Sequence, residues 1–314
     1  MPSSKEKERK IEGASPVSYK GKEDHNIPLV VLTVLMVIIY CASLVIPNSE
    51  QWGWLPTSVG NASDVRPTEV TPAGWAFLIW IIIFMWQMLW LIYALVNLCR
   101  RNEHGPVYLN PPIISIHFVV AYLASLVAII AWYFVWTHLI IWGSLIVIAV
   151  IPVSVWTCIA ILTRGLVCYE ANFSSRFDLW IYRILVLNGL AIFGTWTALA
   201  THINIAMVFI YDFGTSVNVG STIALVLLLI LVSVYAFLDL FLWDRYLRFN
   251  VLSFPVVIWA VSAVIDKRQD EVDFSVDANF ILAAVLLSVG VLAFVLKIIL
   301  LLVRSVRESQ RHVV

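Results

Sequence analysis

Five polar or ionisable residues lie within long apolar stretches of the sequence: His117, Asn188, His202, Asp239 and Lys297. Burying such groups in a lipid bilayer costs free energy unless they face other protein groups, so each is a candidate for function. The imidazole of His202 could serve as an axial ligand to a haem or porphyrin metal. Asp239 and Lys297 could pair with each other, or they could mark a path for protons or ions. The alternative is that these side chains make structural contacts between helices.

The chain has 14 tryptophans, and ten of them fall into two groups by position. Tryptophans near the ends of apolar stretches are typical of the belts at membrane–water interfaces. We assign six to these belts: Trp52, Trp54, Trp132, Trp136, Trp142 and Trp180. A second group lies well inside apolar stretches: Trp80, Trp86, Trp90 and Trp196. Aromatic side chains at such positions line a pocket for a flat apolar molecule or pack between helices.

The composition excludes most soluble classes of protein. Hydrophobic residues make up 61% of the 314 residues and charged residues 13%, whereas soluble domains average about 45–50% and 25%. Basic and acidic residues balance at 20 each, which argues against a nucleic-acid-binding protein. We find no metal-ligand cluster, no phosphate-binding glycine loop and no nucleophile with a paired base in the sequence, so we predict neither a metal site nor an enzyme. The chain is predicted to be an all-α polytopic membrane protein in contact with the lipid bilayer.

Eight apolar stretches approach the length of about 20 residues that a helix needs to cross a bilayer. They cover residues 28–47, 73–98, 111–135, 139–163, 180–210, 220–243, 246–265 and 279–303. The seventh stretch is the weakest, because Pro255 interrupts it and Arg248 has to extend its charged end to the interface. We therefore predict about eight transmembrane helices, flanked by polar tails at 1–27 and 304–314.

Lysine and arginine are unevenly distributed between the predicted loops. If the chain begins in the cytosol and changes side at each span, sixteen Lys or Arg residues fall inside and only Arg66, Lys267 and Arg268 fall outside. Positive charge accumulates on the cytoplasmic side of membrane proteins, so both termini are predicted to be cytosolic. The outer segments carry nine acidic residues, which predicts a basic inner face and an acidic outer face.

Two features bear on which membrane holds the protein. Asn61 heads a glycosylation sequon, Asn61-Ala62-Ser63, in the predicted outer loop 48–72, and it is a candidate for modification in a secretory membrane. Segment 1–27 contains five acidic residues and one arginine, unlike the acid-poor, Arg-rich mitochondrial transit peptides. These features favour the secretory pathway or plasma membrane over a mitochondrial membrane.

Two short motifs carry a family resemblance. The segment Thr71-Pro72-Ala73-Gly74-Trp75-Ala76-Phe77-Leu78-Ile79-Trp80 resembles the start of the second helix in the translocator protein/tryptophan-rich sensory protein (TspO/MBR) family. On the predicted fifth helix, the segment from Trp196 to Asn204 is similar to the family pattern W-x-x-x-A-x-x-[LI]-N. The resemblance covers roughly residues 28–210. It implies a five-helix unit there, with residues 211–303 forming a three-helix extension that the family lacks.

The resemblance also implies a site. Members of that family bind porphyrins, sterols and synthetic aromatic ligands in a cavity between the helices. Carried over by motif, the residues expected to line or shape such a cavity are Trp75, Phe77, Trp80, Trp196, Ala200 and Asn204. A porphyrin is thus one candidate ligand, and a homodimer is one candidate assembly.

Three hypotheses of function follow. The first is a multi-pass protein that binds or carries a flat apolar molecule of the tetrapyrrole or sterol class in a tryptophan-lined pocket. The second is a secondary transporter of ions or small polar solutes that uses Asp239, Lys297 and His202. The third is a membrane scaffold, in which none of these residues binds a ligand.

Overall fold

The computed structural model describes residues 22, 24–268 and 277–311, and it is built almost entirely of helices. Within this part of the chain the strands are limited to one two-stranded hairpin, in which β1 (Arg101–Asn102) pairs antiparallel with β2 (Gly105–Pro106). The α-helices are α1 (Ile27–Val45), α2 (Val59–Asp64), α3 (Ile79–Cys99), α4 (Ile116–Thr137), α5 (Ile141–Cys168), α6 (Arg176–Ile181), α7 (Leu187–Met207), α8 (Val217–Phe237), α9 (Asp244–Leu247), α10 (Ser253–Arg268) and α11 (Ala278–Arg311). The prediction of an all-α polytopic bundle is confirmed.

Seven helical segments of the described chain are long and apolar enough to cross a membrane. They are Ile27–Trp52, Gly74–Cys99, Ile116–Thr137, Ile141–Cys168, Arg176–Asp212, Val217–Leu242 and Ala278–Val306. Several include wide π turns, either inside the span, as at Tyr182–Val186, or at its end, as at Leu238–Leu242. Apolar side chains such as Ile81 and Ile230 are largely exposed on these helices, as expected of surfaces that face lipid tails.

The seventh predicted span, 246–265, corresponds to the shorter helix α10. Its 16 residues extend about 24 Å at 1.5 Å per residue, which is less than a hydrocarbon core of about 30 Å. Pro255 lies in the first turn, where a missing N–H is tolerated, so it begins the helix rather than interrupting it. Asn188 of α7 fixes the entry to α10, because its Oδ1 accepts hydrogen bonds from the backbone N–H groups of Val251 and Leu252.

Helix α10 nevertheless connects the two ends of the bundle. At one end its entry contacts Asn188, and at the other the carbonyl oxygen of Ala263 accepts a hydrogen bond of 2.9 Å from the backbone N–H of Ala73. Trp259 Nε1 donates to the carbonyl oxygen of Ala76 at 3.0 Å. The described chain therefore passes between the two ends eight times, although only seven of the passes are long helices.

Loop contacts define these two ends. At the basic end, Tyr108 is hydrogen-bonded to the backbone of Asn26, and Asn102 to Ser174. The basic end holds most of the described arginines: Arg100, Arg101, Arg164, Arg176, Arg183, Arg245, Arg248 and Arg304. At the acidic end, segment 46–73 is joined to the loops after α4 and α7, because Arg66 donates to the carbonyl oxygen of Leu139 and Tyr211 to that of Pro67.

The fifth span, Arg176–Asp212, is the centre of the bundle. Its most apolar part is 72% buried, more than that of any other candidate span. Gly189 allows the second span to approach it closely, because a Cβ there would lie 2.7 Å from Cδ1 of Trp86. One hydrophobic cluster joins residues of α1, α3, α4, α5 and α7 with Val257 of α10 and Leu286 of α11. The division into a five-helix unit at 28–210 and an extension at 211–303 stays a prediction.

Candidate functional site: a tryptophan-lined cavity

A mainly apolar cavity lies in the half of the bundle next to the acidic end. Four indole rings line it, those of Trp80, Trp132, Trp136 and Trp196. We call it the tryptophan cavity. The motif residues Phe77, Ala200 and Asn204 line it as well, together with His202. The structure thus brings together five of the six motif residues, and the sixth, Trp75, does not line the cavity.

The aromatic walls come from α7 and from the start of the second span. The ring of Trp196 is perpendicular to those of Phe77 and Trp80, with centroids 6.0 and 6.4 Å away. Edge-to-face pairs of this kind stabilise one another through their quadrupoles. Phe77 lies in the 3-10 turn Gly74–Leu78 that precedes α3, which explains how residues only three apart, Phe77 and Trp80, both reach Trp196.

A chain of hydrogen bonds holds the polar side of the cavity. Trp132 Nε1 donates to Ser144 Oγ at 3.0 Å, and Ser144 Oγ donates to Asn204 Oδ1 at 2.7 Å. Asn204 Nδ2 in turn donates to the carbonyl oxygen of Ala200. These bonds join α4, α5 and α7, and Asn204 and Trp132 are both buried. The chain therefore fixes the orientation of one wall ring and of the motif asparagine.

The assignment of Trp132 and Trp136 to an interfacial belt is wrong. Both side chains are buried, at 5% and 7% exposure, and both line the cavity. Trp136 donates its indole N–H to the carbonyl oxygen of Val59, so segment 59–72 covers this end of the helix instead of lipid headgroups. Position near a helix end cannot distinguish a belt residue from one covered by a folded loop.

His202 is the side chain on this cavity that could bind a ligand by a nitrogen lone pair. Its Nδ1 lies 2.8 Å from the carbonyl oxygen of Ala198. A carbonyl oxygen only accepts hydrogen bonds, so Nδ1 carries the proton and the Nε2 of the neutral ring keeps its lone pair. No described residue is hydrogen-bonded to Nε2. That nitrogen can accept a hydrogen bond or bind a metal.

Comparison with family models identifies the family of the chain. Residues 27–301 match the model of the TSPO-like protein family. The chain belongs to the TSPO-like family. No curated protein and no solved structure matches the chain in the corresponding searches. Family membership indicates a membrane protein that binds small molecules, and the match includes the three C-terminal crossings as well as the first five.

The C-terminal crossings of this TSPO-like chain complete the cavity, which the motifs alone did not indicate. Leu225 and Leu228 of α8, Ala260 and Val264 of α10 and Leu286 of α11 all line it. They are small or aliphatic residues at helical spacing, which in a sequence is indistinguishable from ordinary packing between helices. The one feature of the sequence that hinted at this contribution was the presence of three further apolar stretches after the first five.

Trp75, the remaining motif residue, lies outside the tryptophan cavity. Its indole Nε1 donates to Asp266 Oδ2 at 2.8 Å, and its ring packs edge-to-face on Trp259 at 4.9 Å. The side chain is 39% exposed. It therefore joins the start of the second span to the end of α10, because the 3-10 turn directs Trp75 and Phe77 to different sides.

The other predicted polar residues do not share this cavity. His117 is exposed in the first turn of α4, near the basic end. Asn188 donates to the carbonyl oxygens of Arg183 and Phe249 and accepts at the entry to α10, so all of its described bonds are structural. Asn61 is exposed in α2 at the acidic end.

Asp239 and Lys297 form a buried ion pair near the basic end. Lys297 Nζ donates to Asp239 Oδ1 at 2.8 Å and to the carbonyl oxygen of Leu247 at 2.9 Å. The side chains are 0% and 2% exposed. Asp239 lies in the π turn Leu238–Leu242, and its second oxygen, Oδ2, has no hydrogen-bond partner in the described part of the chain.

The space open to the centre of a water-sized sphere in the tryptophan cavity is about 70 Å³. One water needs roughly 10–15 Å³ measured in this way, so the cavity admits several waters or a small part of a larger molecule. The apolar and aromatic lining is chemically suited to an apolar ring. A whole tetrapyrrole or sterol is larger than the cavity and would require its walls to move apart.

Proposed function

We propose that this TSPO-like protein binds, and carries, a flat apolar molecule of the tetrapyrrole or sterol class in the tryptophan cavity, and that it is not an enzyme. The observation that carries the proposal is the convergence of four indole rings and the motif asparagine on one interhelical cavity. Ligand sites of this kind combine apolar and aromatic walls with a few polar groups that fix orientation. Here the polar groups are Asn204 and His202.

Ligand entry in this proposal takes place beside segment 59–72. Val59, Ser63 and Thr71 of that segment line the cavity, and the segment lies at the acidic end of the bundle. An outward shift of the segment would enlarge the cavity without separating the long helices. The segment consists of the short helix α2 and the loop that follows it, and moving it should cost less than separating the packed long helices.

The test is a titration of the purified full-length protein with protoporphyrin and, separately, with a sterol, followed by tryptophan fluorescence. Trp196→Ala removes a wall, and Ala200→Leu fills the cavity while leaving all 14 tryptophans in place. We expect saturable quenching by at least one ligand, and at least about tenfold weaker binding in both variants. Trp142→Ala is the matched control, because Trp142 is 48% exposed on the surface.

The outcome that overturns the proposal is the absence of saturable quenching by both ligands, or equal affinity in Ala200→Leu and the unaltered protein. A second arm tests the role of His202. If its Nε2 binds metal, His202→Ala weakens the binding of haem and changes the haem absorption spectrum, whereas binding of metal-free protoporphyrin stays the same.

The proposed membrane orientation places the basic end and both termini in the cytosol, in a membrane of the secretory pathway or the cell surface. The arginines gathered at the basic end support it. Asn61 then lies outside, and expression in a eukaryotic cell should give a glycosylated form that glycosidase treatment and Asn61→Gln both remove. Glycan at Asn172 instead would reverse the orientation. A homodimer stays a prediction.

A second candidate function, transport of ions or small polar solutes, is favoured by the ion pair of Asp239 and Lys297. Paired charges buried at membrane depth are common on ion and proton paths. The decisive measurement is proton flux into vesicles containing the protein, followed with a trapped pH-sensitive dye. Transport predicts that Asp239→Asn abolishes the flux and that Trp196→Ala preserves it.

A further inference from the structure

A second cavity lies at the basic end, whereas the tryptophan cavity lies next to the acidic end. About 380 Å³ is open to the centre of a water-sized sphere, so it is the roomier of the two. Its walls come from the end of α5, the π turn Tyr182–Val186 and the segment 245–249. Because three arginines line it, Arg183, Arg245 and Arg248, we call it the arginine cavity.

The described lining of the arginine cavity contains more basic than acidic side chains. The lining contains one carboxylate, that of Glu170, against three guanidinium groups. Glu170 Oε1 lies 2.8 Å from Arg183 Nη2, so this pair is close to neutral. Arg248 lies 3.7 Å from Asp244, which also pairs with Arg304. Among the described lining residues, guanidinium groups therefore outnumber carboxylates by three to one.

Arg245 supplies the guanidinium that is most accessible. Its side chain is exposed at the mouth of the cavity, and it forms no ion pair within the described ranges. Arg183 is held more rigidly, since its guanidinium stacks 4.4 Å from the centroid of Phe249 and its side chain is only 11% exposed. Arg183 therefore forms a fixed part of the wall, whereas Arg245 can reach an anion from the mouth of the cavity, beside Arg248 on the same lining.

The walls of the cavity are not uniformly polar. Leu166, Leu187 and Phe249 contribute apolar surface between the arginines. On neighbouring surfaces, Trp180 and Phe241 are 44% and 64% exposed, as expected near the headgroup region of a membrane. An anion that carries an apolar portion suits this combination better than a simple inorganic ion does.

We propose that the arginine cavity binds the phosphate group of an anionic amphiphile, with Arg245 and Arg248 on the phosphate and the apolar portion against Leu187 and Phe249. Guanidinium groups match phosphate oxygens in geometry and charge, and basic pockets between transmembrane helices bind anionic lipid headgroups. The same phosphate chemistry has two sources, a membrane phospholipid or a soluble phosphate. This site is separate from the tryptophan cavity and does not rest on the function proposed there.

The test uses the full-length protein in detergent and follows its thermal unfolding by tryptophan fluorescence. The probes are phosphatidic acid, phosphatidylcholine and glycerol phosphate, added separately over a range of concentrations. A ligand that binds the folded state raises the unfolding temperature in a saturable manner. The variants are Arg245→Gln and Arg248→Gln, and the matched control is Arg164→Gln, an exposed arginine of the same end that does not line the cavity.

We expect phosphatidic acid to stabilise the protein with an affinity that each cavity variant lowers at least about tenfold, while Arg164→Gln lowers it less than about twofold. Phosphatidylcholine, whose phosphate is paired with a cation in its own headgroup, should bind more weakly. If glycerol phosphate stabilises the protein as well and the same variants abolish the effect, the phosphate site stands and its source is soluble. Equal losses in all three variants indicate nonspecific attraction, and no saturable effect of any probe indicates no site; both overturn the proposal.

Discussion

The tryptophan cavity and the arginine cavity lie along the same central span but are held by different interactions. Around the first, neutral hydrogen bonds such as those of Ser144 fix aromatic rings in an apolar wall. Around the second, ion pairs connect separate segments, as in the pairs of Glu170 with Arg183 and of Asp244 with Arg304. The difference shows how one helix bundle can offer an apolar site at one end and a charged site at the other.

The difference has an energetic consequence. Neutral hydrogen bonds and ring contacts respond little to salt, whereas exposed charge pairs are screened by it. A buried pair responds differently again, because removing one partner leaves the other charged and unsolvated. Substitutions at the two ends should therefore lower the free energy of unfolding by different amounts. They should also differ in whether salt, or a second substitution that removes the partner charge, restores the stability.

The largest effect is expected from Lys297→Met, which leaves the carboxylate of Asp239 buried without its partner. Breaking a buried pair in this way costs about 3–5 kcal/mol of the free energy of unfolding. Thermal or denaturant unfolding in detergent measures the loss. The control is the double variant Asp239→Leu with Lys297→Met, which removes both charges and should regain most of the stability. A loss below about 1 kcal/mol in the single variant would mean that the pair contributes little at this end.

The next largest effect is expected from Ser144→Ala at the other end. The change leaves Trp132 Nε1 and Asn204 Oδ1 without their common partner, and each unpaired buried group costs about 1–3 kcal/mol. We expect a loss of about 2 kcal/mol together with weaker ligand binding in the tryptophan cavity. Unfolding and the porphyrin titration measure the two effects.

Ser125→Ala is the matched control for this prediction. Ser125 is also buried on α4, but its hydroxyl donates only to the carbonyl oxygen of Tyr122 in its own helix. Its replacement should cost less than about 1 kcal/mol. If Ser144→Ala and Ser125→Ala prove equal in stability and ligand affinity, the chain from Trp132 to Asn204 does not organise the cavity.

Ionic strength should separate the two cavities without any substitution. Raising the salt concentration from about 0.05 M to about 0.5 M shortens the screening length from over 10 Å to below 5 Å. Phosphate binding at the partly exposed Arg245 should weaken severalfold, while porphyrin or sterol binding at the tryptophan cavity should stay within about twofold. A parallel loss at both sites would indicate that the protein as a whole, rather than one end, responds to salt.

Much of this fold follows from the sequence, because spans of apolar residues admit few alternatives to helices in a bilayer. The charge asymmetry of the loops also predicted which segments share an end, and Arg100 with Asp178 illustrates the result. They lie far apart in the chain and form a bidentate pair at 2.8 and 3.0 Å. The hydrogen bond to Asp178 raises the pKa of the Arg100 guanidinium.

The site was less predictable than the fold, and the misplaced residues explain why. Trp136 was assigned to lipid headgroups because the sequence does not show that segment 59–72 folds over it. The wall formed by Leu225 and Ala260 carries no chemical signal at all, since aliphatic residues look the same whether they face a cavity or a helix. In the sequence, Arg245 and Arg248 only add to the positive charge predicted for the cytosolic side. That they line a cavity follows from the packing of α5 against their segment, which the sequence does not show.

The smallest effect is expected from Trp75→Phe, and it tests whether motif or geometry locates the tryptophan cavity. The substitution removes one exposed hydrogen bond to Asp266, at a cost of about 0.5 kcal/mol. Because Trp75 packs on Trp259 outside the cavity, ligand affinity should stay within about twofold of the unaltered protein. Trp80→Phe is the control from the same motif, and it should weaken binding, since Trp80 lines the cavity and contacts Trp196. Equal losses in the two variants would place the ligand nearer to α10 than the cavity suggests, because Trp75 reaches a ligand only from that side.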